Sequence, residues 1–372
     1  MTLPKITRQP FYLKLAAVLI SLIALGYLGI EGKEVLCPLL FGLLFSMLIL
    51  PLAIFFETKL KLPRSAASAL AVVVLLACIA GLIYLIGTQI SKISNDMPML
   101  KQQVIGSFHD FQEWISKTFH INIAKQMDYV SSAASKLETA SPGVIGATVV
   151  SLSSILLFFV FVILDTFFLL FYRRRMLKFL VDVFQDENGN VVYDIVESVQ
   201  SMVRKYLVGL LLEMTTVAVV CCSVFLLIGI KYAILLGLIT AIFNIIPYIG
   251  IFTALALNII ITFATAAAGT KILFVVITVV SMHLIDSNIL LPVIVGSKVR
   301  INAFITLMGV VLGEMIWGIP GMFLSIPFIA IAKIIFDRVE SLKPWGTLLG
   351  DEKIEGRKIN FTRNRKRQSN VP

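Results

Sequence analysis

Long runs of apolar residues, each with few or no charges, alternate with short polar connections along the chain. A bilayer core about 30 Å thick is crossed by a helix of about 20 apolar residues, so runs of that length predict membrane-spanning helices. Five runs qualify: Tyr12–Ile30, Val35–Phe56, Ala66–Gly87, Val144–Tyr172 and Leu207–Ile230. The pattern therefore predicts an all-α, polytopic membrane protein.

From Lys231 to Phe336 the sequence stays apolar almost without pause, but proline and glycine interrupt it. The interruptions are Pro247, Gly250, Gly269, Pro292, Gly296, Gly313, Gly318, Pro320, Gly321 and Pro327. Broken helices are tolerated inside a membrane where their free backbone groups are buried in protein or line a cavity. We expect about seven to nine transmembrane or re-entrant helices, with broken helices in the C-terminal half. The pattern leaves open which short segments cross and which re-enter.

Basic residues in the short loops predict the orientation, because such loops stay in the cytoplasm. Lys59, Lys61 and Arg64 follow the second span, and Arg173 to Arg175 follow the fourth. Both termini are then cytoplasmic, in a multi-pass protein of the bacterial inner (plasma) membrane. The predicted regions are a three-helix membrane region (1–87), an extracytoplasmic amphipathic helical segment (88–142), the fourth span (143–172), a cytoplasmic amphipathic helical segment (173–206), a C-terminal transport region (207–337) and a basic cytoplasmic tail (338–372).

Two segments outside the predicted spans carry apolar stripes at helical spacing. The outer stripe contains Ile90, Ile93, Met97, Leu100, Val104, Phe108, Phe111 and Ile115, and the inner stripe contains Val192, Ile195, Val199, Met202 and Tyr206. Such stripes usually pack against other helices of the same chain. A stripe without an intramolecular partner is instead an oligomer contact, and we expect a homo-oligomer.

Composition narrows the possible partners. The chain is 58% hydrophobic and 15% charged, with a net charge of +10. In a membrane protein a basic tail contacts anionic lipid heads, so membrane lipids rather than nucleic acid are the expected partners. All four cysteines lie in apolar runs and show no metal-ligand or disulfide spacing, so we expect neither a metal site nor a cofactor.

The chemistry of the chain must reside in polar residues within apolar runs. No phosphate-binding loop and no nucleophile with a base is present, so we expect no catalytic residues, no enzyme and no ATP-driven transport. A charge in mid-membrane costs several kcal/mol unless it has a partner, a cavity or a proton. His283, Asp286, Asn288 and Pro292 form the main candidate group, because His283 and Asp286 share a helix face and Pro292 frees a backbone carbonyl.

A second candidate group lies at the break formed by Asn244, Pro247, Tyr248 and Gly250. Secondary transporters use the ends of broken helices to hold substrates and ions, so both groups are predicted to line a substrate or ion path. Simple kinking of the helix for packing is the alternative. Three further acidic residues are secondary candidates: Asp165, Glu213 and Glu314. Asp165 precedes Arg173 to Arg175 by about two helical turns, and we expect a structural ion pair there.

At these residues the chain resembles a known family, the autoinducer-2 exporters, also called PerM-type permeases. The resemblance rests on Arg204-Lys205-Tyr206 with Gly209, Asn244-Ile-Ile-Pro247-Tyr248-Ile-Gly250, the stretch His283–Pro292 with Gly296, and Gly318-Ile-Pro320-Gly321 with Pro327. It covers almost the whole chain up to about Asp337. Where many relatives have Gln and Glu, this chain has His283 and Asp286, so the substrate is not carried over.

The resemblance implies a secondary transporter without a cofactor. We expect export of a small polar metabolite or signal similar to autoinducer-2, with sodium or lithium/proton antiport as the alternative. A membrane scaffold that transports nothing is the third reading. The expected ligand is accordingly a small polar solute, a cation or a proton.

Overall fold

The structure is a computed structural model that describes residues 10–119, 141–246, 249–265, 269–290, 293 and 301–351. Its α-helices are α1 (Phe11–Glu31), α2 (Lys33–Thr58), α3 (Arg64–Phe119), α4 (Ser141–Val183), α5 (Gln185–Leu227), α6 (Ala233–Phe243), α7 (Ile249–Thr265), α8 (Gly269–Ile285), α9 (Ala303–Trp317), α10 (Ile319–Arg338) and α11 (Lys343–Leu349). A π-helical turn, Asp286–Leu290, extends α8, and a 3₁₀ turn, Glu340–Leu342, precedes α11.

The described residues contain six helices that are long and apolar enough to cross a membrane. These are Lys33–Thr58, Arg64–Ile93, Ser153–Val183, Val191–Leu227, Gly269–Leu290 and Ile319–Arg338. Four shorter apolar helices accompany them: Leu15–Glu31, Ala233–Phe243, Ile249–Thr265 and Ala303–Trp317. Many large apolar side chains on these helices are exposed, as expected where lipid takes the place of a protein neighbour. The predicted all-α polytopic class is confirmed.

Several helices run through the region boundaries that the sequence predicts. The helix α3 continues past Gly87 to Phe119, so the third span and the start of the outer segment are one helix. The helix α4 extends past Tyr172 to Val183, and α5 joins the inner amphipathic segment to the fifth span. The predicted region boundaries at 87, 172 and 206 therefore fall within continuous helices.

The inner stripe packs within the chain. Met202 and Tyr206 are buried together with Leu44 of α2 and with Leu324 and Ala330 of α10. Val199 lies against the same cluster. An amphipathic helix gains most of its stability by burying its apolar face, so this stripe is a packing surface. Of the outer stripe, Ile93 packs against the start of α6, whereas the side chains from Met97 onward lie outside the described residues.

Helices α5 to α8, which we call the C-terminal bundle, share one apolar core. Its buried residues include Val217, Cys221, Phe225, Leu236, Val275, Val279 and Met282. The helix α6 has 11 residues and a length of about 16 Å, half of what a crossing requires. It lies antiparallel to α7, since Tyr232 and Leu235 at its start pack against Ile261 and Ala264 near the end of α7. The two helices form an antiparallel helical hairpin, which we call the re-entrant hairpin after the expectation that some short segments of this region re-enter.

Helices α9 and α10, the closing hairpin, form a second antiparallel pair. The turn between them is Gly318, whose φ of 64° lies in the left-handed region that glycine adopts without strain. The Nε1 of Trp317 donates to the carbonyl oxygen of Gly29 at 2.8 Å, which ties the tip of this hairpin to the end of α1. One isolated antiparallel bridge, between Ile301 and Gly350, closes its base.

Candidate functional site

The site is centred on Asn244, which follows the last residue of α6 at the tip of the re-entrant hairpin. Its side-chain Nδ2 donates to Oε1 of Glu213 on α5 at 2.9 Å. The same nitrogen donates to Oδ2 of Asp286, the first residue of the π-helical turn, at 3.0 Å. One amide group thus joins three elements of the C-terminal bundle.

Glu213 and Asp286, which we call the carboxylate pair, are deeply buried. Glu213 is 2% exposed and Asp286 is 4% exposed. Oε2 of Glu213 and Oδ1 of Asp286 have no hydrogen-bond partner among the described residues. Buried carboxylate oxygens normally have donors or cations beside them, because leaving a charged group unsatisfied away from water is costly. Both residues therefore retain the capacity to bind a proton or a cation.

Helical spacing along α8 brings Asp286 to the pair. Val275, Val279 and Met282 are buried, and Asp286, four residues after Met282, continues that buried face into the first residue of the π-helical turn. Asp286 faces the bundle, whereas Asn288 is exposed and donates only to the carbonyl oxygen of Leu284 in its own helix. The predicted site residue Asn288 is thus not brought together with Asn244 and Asp286.

His283 lies one helical turn before Asp286, as the sequence predicts. Its Nε2 is 3.3 Å from Oγ of Ser287, and its Nδ1 is buried without a partner in the described part of the chain. The imidazole and the Asp286 carboxyl border the same small cavity but form no hydrogen bond with each other in the structure. His283 therefore contributes polarity and a titratable group beside the carboxylate pair.

The cavity beside these residues has a volume of about 10 Å³. Its polar lining is Thr240, Asn244, His283 and Asp286, and its apolar lining is Val217, Ile251, Ala254, Val279 and Met282. A volume of this size holds about one water molecule. The cavity accommodates a single water-sized species beside the acidic groups.

The residues predicted from the sequence do not include three buried polar residues of the re-entrant hairpin, one of which, Thr240, lines the cavity. Thr240, Asn258 and Thr262 are all buried, the last two completely. Asn258 Nδ2 donates to Oγ1 of Thr240 at 2.7 Å, which links α7 to α6. Uncharged residues in an apolar run attract less notice than acids do. The available signal was that Asn258 and Thr262 are spaced by four residues and therefore share a face of α7.

The remaining predicted residues are distributed as follows. Gly250 is buried at the start of α7, against the end of α6, and so belongs to the hairpin tip. Glu314 is exposed on α9 and does not line the small cavity. Pro247, Tyr248 and Pro292 lie outside the described residues.

Asp165 is expected to pair with the basic residues that follow it, but in the structure Arg173 pairs with Glu57 instead. Arg173 Nη2 donates to both carboxylate oxygens of Glu57, at 2.8 and 2.6 Å. Asp165 and Arg173 are eight residues apart, which is about 12 Å along a helix. Their side chains are too short to bridge this distance. Asp165 instead lies against Gly42 of α2, so the expected pairing of Asp165 is wrong.

A larger cavity of about 250 Å³ lies between α2, α4 and α5. Its lining is mainly apolar, with Leu50, Leu170 and Leu177 among its residues, and Arg173 on one side. None of the predicted site residues borders it. The larger cavity is therefore not the one lined by the predicted polar residues. The concentration of buried polar groups identifies the smaller cavity as the candidate site.

Comparison with known proteins agrees with this architecture. The family described as "AI-2E family transporter" matches residues 4–341. The "Putative transport protein YueF" of Bacillus subtilis is 25% identical over 293 residues, covering 74% of this chain and 77% of the relative. The "Putative transport protein YrrI" of the same organism is 25% identical over 317 residues, covering 82% and 86%. The "Putative permease PerM" of Escherichia coli is 24% identical over 189 residues, covering 51% and 53%. With its family match extending over nearly the whole length, the chain belongs to the AI-2E transporter family.

Proposed function

We propose that this multi-pass membrane protein is a secondary transporter whose carboxylate pair binds a proton or a monovalent cation and exchanges one for the other. The observation that carries the proposal is the single amide of Asn244 bound to Glu213 and Asp286, each of which keeps a buried oxygen without a described partner. The sodium or lithium/proton antiporter is therefore the function that the site supports best.

Electrostatics gives the pair its exchange property. The two bound carboxylate oxygens lie within 3.0 Å of one nitrogen, so they are at most about 6 Å apart. Two negative charges at that distance, in an apolar surrounding, repel each other strongly. A bound proton or a bound cation relieves this repulsion. Binding of either one therefore lowers the affinity of the pair for the other. Competition for one site is the basis of antiport.

The size and chemistry of the site favour a small ion. Carboxylate, hydroxyl and amide oxygens are hard ligands, which suit sodium and lithium. A cavity of about 10 Å³ has room for one water-sized species. An autoinducer-2-like metabolite is larger than this space. Export of such a solute would need a separate opening, with the carboxylate pair binding the ion that drives it.

Proton movement in proteoliposomes tests the proposal. The full chain is reconstituted with a pH-sensitive dye inside, and an inward gradient of sodium or lithium is imposed. We expect the sodium or lithium gradient to drive proton efflux in wild type. The rate should be at least tenfold lower in Asp286→Asn and in Glu213→Gln, because each substitution removes one ionisable group of the pair.

Glu314→Gln is the matched control, since it also removes a carboxyl group but at an exposed position. Its rate should stay within twofold of wild type. Wild-type rates in Asp286→Asn, at equal protein content, would remove the carboxylate pair from the mechanism. If neither sodium nor lithium drives proton flux in wild type, antiport is rejected. Unaltered function of Asp286→Asn in cells would then favour a membrane scaffold.

A further inference from the structure

A line of buried oxygen atoms continues from the carboxylate pair along the re-entrant hairpin. On α7 the buried face contains Ala254, Asn258 and Thr262, each four residues from the next. Thr240 of α6 borders the small cavity, and Asn258 donates to it at 2.7 Å. The polar groups thus extend from the cavity toward the end of α7 that the predicted orientation places outside.

Two atoms of this line have no partner in the described part of the chain: Oδ1 of Asn258 and Oγ1 of Thr262. Both side chains have an exposed fraction of 0%. Threonines in helices normally donate to the carbonyl oxygen four residues earlier, as Thr240, Thr253 and Thr265 do here. The hydroxyl of Thr262 does not make this bond, and its buried oxygen has no other partner among the described residues, so both its proton and its lone pairs are unused.

From this geometry we infer that Thr240, Asn258 and Thr262 form a second binding position for the transported monovalent cation, which we call the outer station. The inference rests on the proposed function, since it concerns the same ion. Hydroxyl and amide oxygens can replace part of the hydration shell of sodium or lithium without adding a charge. The ion binds there on its way between the carboxylate pair and the outer side.

Neutral ligands suit a position of passage. A cation that enters a transport path must bind well enough to lose water and weakly enough to leave again. The carboxylate pair supplies the strong position, and the outer station supplies a weaker one beside it. Thr240 belongs to both, because it lines the small cavity and accepts from Asn258.

A purely structural role for these residues makes a different prediction. Polar side chains also join helices inside membranes, and the bond from Asn258 to Thr240 serves that purpose. Thr262, however, contributes no side-chain hydrogen bond to any described residue. Replacing an unpaired hydroxyl by a methyl group of the same shape should then leave the fold unchanged or more stable.

Thr262→Val and Thr262→Ser separate the two roles, because valine keeps the shape and serine keeps the oxygen. In proteoliposomes we expect the initial rate of radioactive sodium uptake to fall at least tenfold in Thr262→Val and to stay within twofold of wild type in Thr262→Ser. Thermal stability of Thr262→Val should equal or exceed that of wild type. Thr253→Val, at a half-buried position on the same helix, is the control and should transport normally.

Wild-type uptake by Thr262→Val would overturn the outer station. Asn258→Leu is a second test of the outer station. Sodium uptake within twofold of wild type in this variant would also count against the outer station. Sodium-dependent thermal stabilisation should persist in Thr262→Val, because the carboxylate pair is intact. Asp286→Asn keeps the two proposals distinct: if it transports normally, the proposed function fails. If it is inactive while Thr262→Val is normal, only the outer station fails.

Discussion

At the scale of single residues, Asn244 determines how the two acids of the site coexist. Its amide donates to Glu213 and Asp286 and therefore compensates part of the charge of each. Hydrogen bonds to charged groups contribute about 1.5–3 kcal/mol, more than bonds between neutral groups. The same nitrogen serves both carboxyl groups, so the two bonds are lost together if the side chain is removed. Asn244 therefore contributes to the stability of the site through both acids.

Asn244→Ala should lower the free energy of unfolding by about 1–3 kcal/mol in the absence of sodium and lithium, because both carboxylates lose their donor. A cation that replaces the donor restores part of this loss, so sodium should raise the melting temperature of the variant more than that of wild type. Thermal unfolding in detergent, in sodium and in choline, measures both effects.

Asn288→Ala is the control for Asn244→Ala, because the exposed Asn288 bonds only within its own helix. Its free energy of unfolding should change by no more than about 0.5 kcal/mol, with no special response to sodium. Equal destabilisation of the two variants would contradict the bridging role of Asn244.

The sequence identified part of the site because charge in an apolar run is conspicuous. Asp286, Glu213, His283 and Asn244 were all candidates, and the structure gathers them around one cavity or one amide. Two features were not accessible. The π-helical turn that begins at Asp286 depends on tertiary packing. The pairing of Arg173 with Glu57 joins residues 116 positions apart, a separation over which periodicity carries no information.

At the scale of elements, close backbone contact holds the closing hairpin together. Gly313 of α9 and Gly321 of α10 face each other, and a Cβ on either one would collide with the carbonyl oxygen of the other. Gly309, one turn earlier on α9, lies against Ile329. Small residues spaced by four allow helix backbones to approach in membranes, where lipid supplies no hydrophobic driving force between helices. The sequence predicted the break at Gly318, but not which glycine faces which.

Gly313→Ala should therefore lower the free energy of unfolding by about 1–3 kcal/mol, because the added methyl group overpacks a contact between backbones. Gly81→Ala, on α3, is the matched substitution, since nothing lies within 4 Å of its Cβ position. It should be neutral or slightly stabilising, as alanine is the better helix former. Unfolding in detergent at rising temperature compares the two, and equal stability would mean that the glycine contact does not hold the hairpin.

At the scale of the whole molecule, α3 is connected to the re-entrant hairpin by a polar group that we call the outer latch. Asp96 of α3 accepts from Lys231 at 2.8 Å and from Tyr232 at 2.6 Å, both immediately before α6. The bond from Lys231, followed by that from Tyr232, lowers the pKa of Asp96. The bond to Asp96 raises the pKa of Lys231. Below these polar groups, Ile93 packs against the start of α6.

The direction of these pKa shifts determines when the outer latch holds. The lowered pKa of Asp96 means that the contact is complete above the ordinary aspartate range and is lost only as pH falls through that lowered value. The raised pKa of Lys231 keeps the ammonium charged up to strongly alkaline pH. Between about pH 5 and about pH 9 the latch should therefore not titrate. Any pH dependence of transport in this interval must therefore arise elsewhere in the protein.

Asp96→Ala should release the outer end of α3 from α6 and so loosen the hairpin that carries Thr240. Spin labels at Ile90→Cys and Ile234→Cys, in a chain whose native cysteines are replaced, report the distance between these helices. We expect one narrow distance distribution in the parent at all values from about pH 5 to about pH 9, and a broader one in Asp96→Ala. Glu340→Ala, which removes an exposed ion pair with Lys343, should leave the distribution narrow. A distribution in the parent that broadens within this pH interval would show that the latch titrates and would contradict its assignment as a contact that is constant over this range.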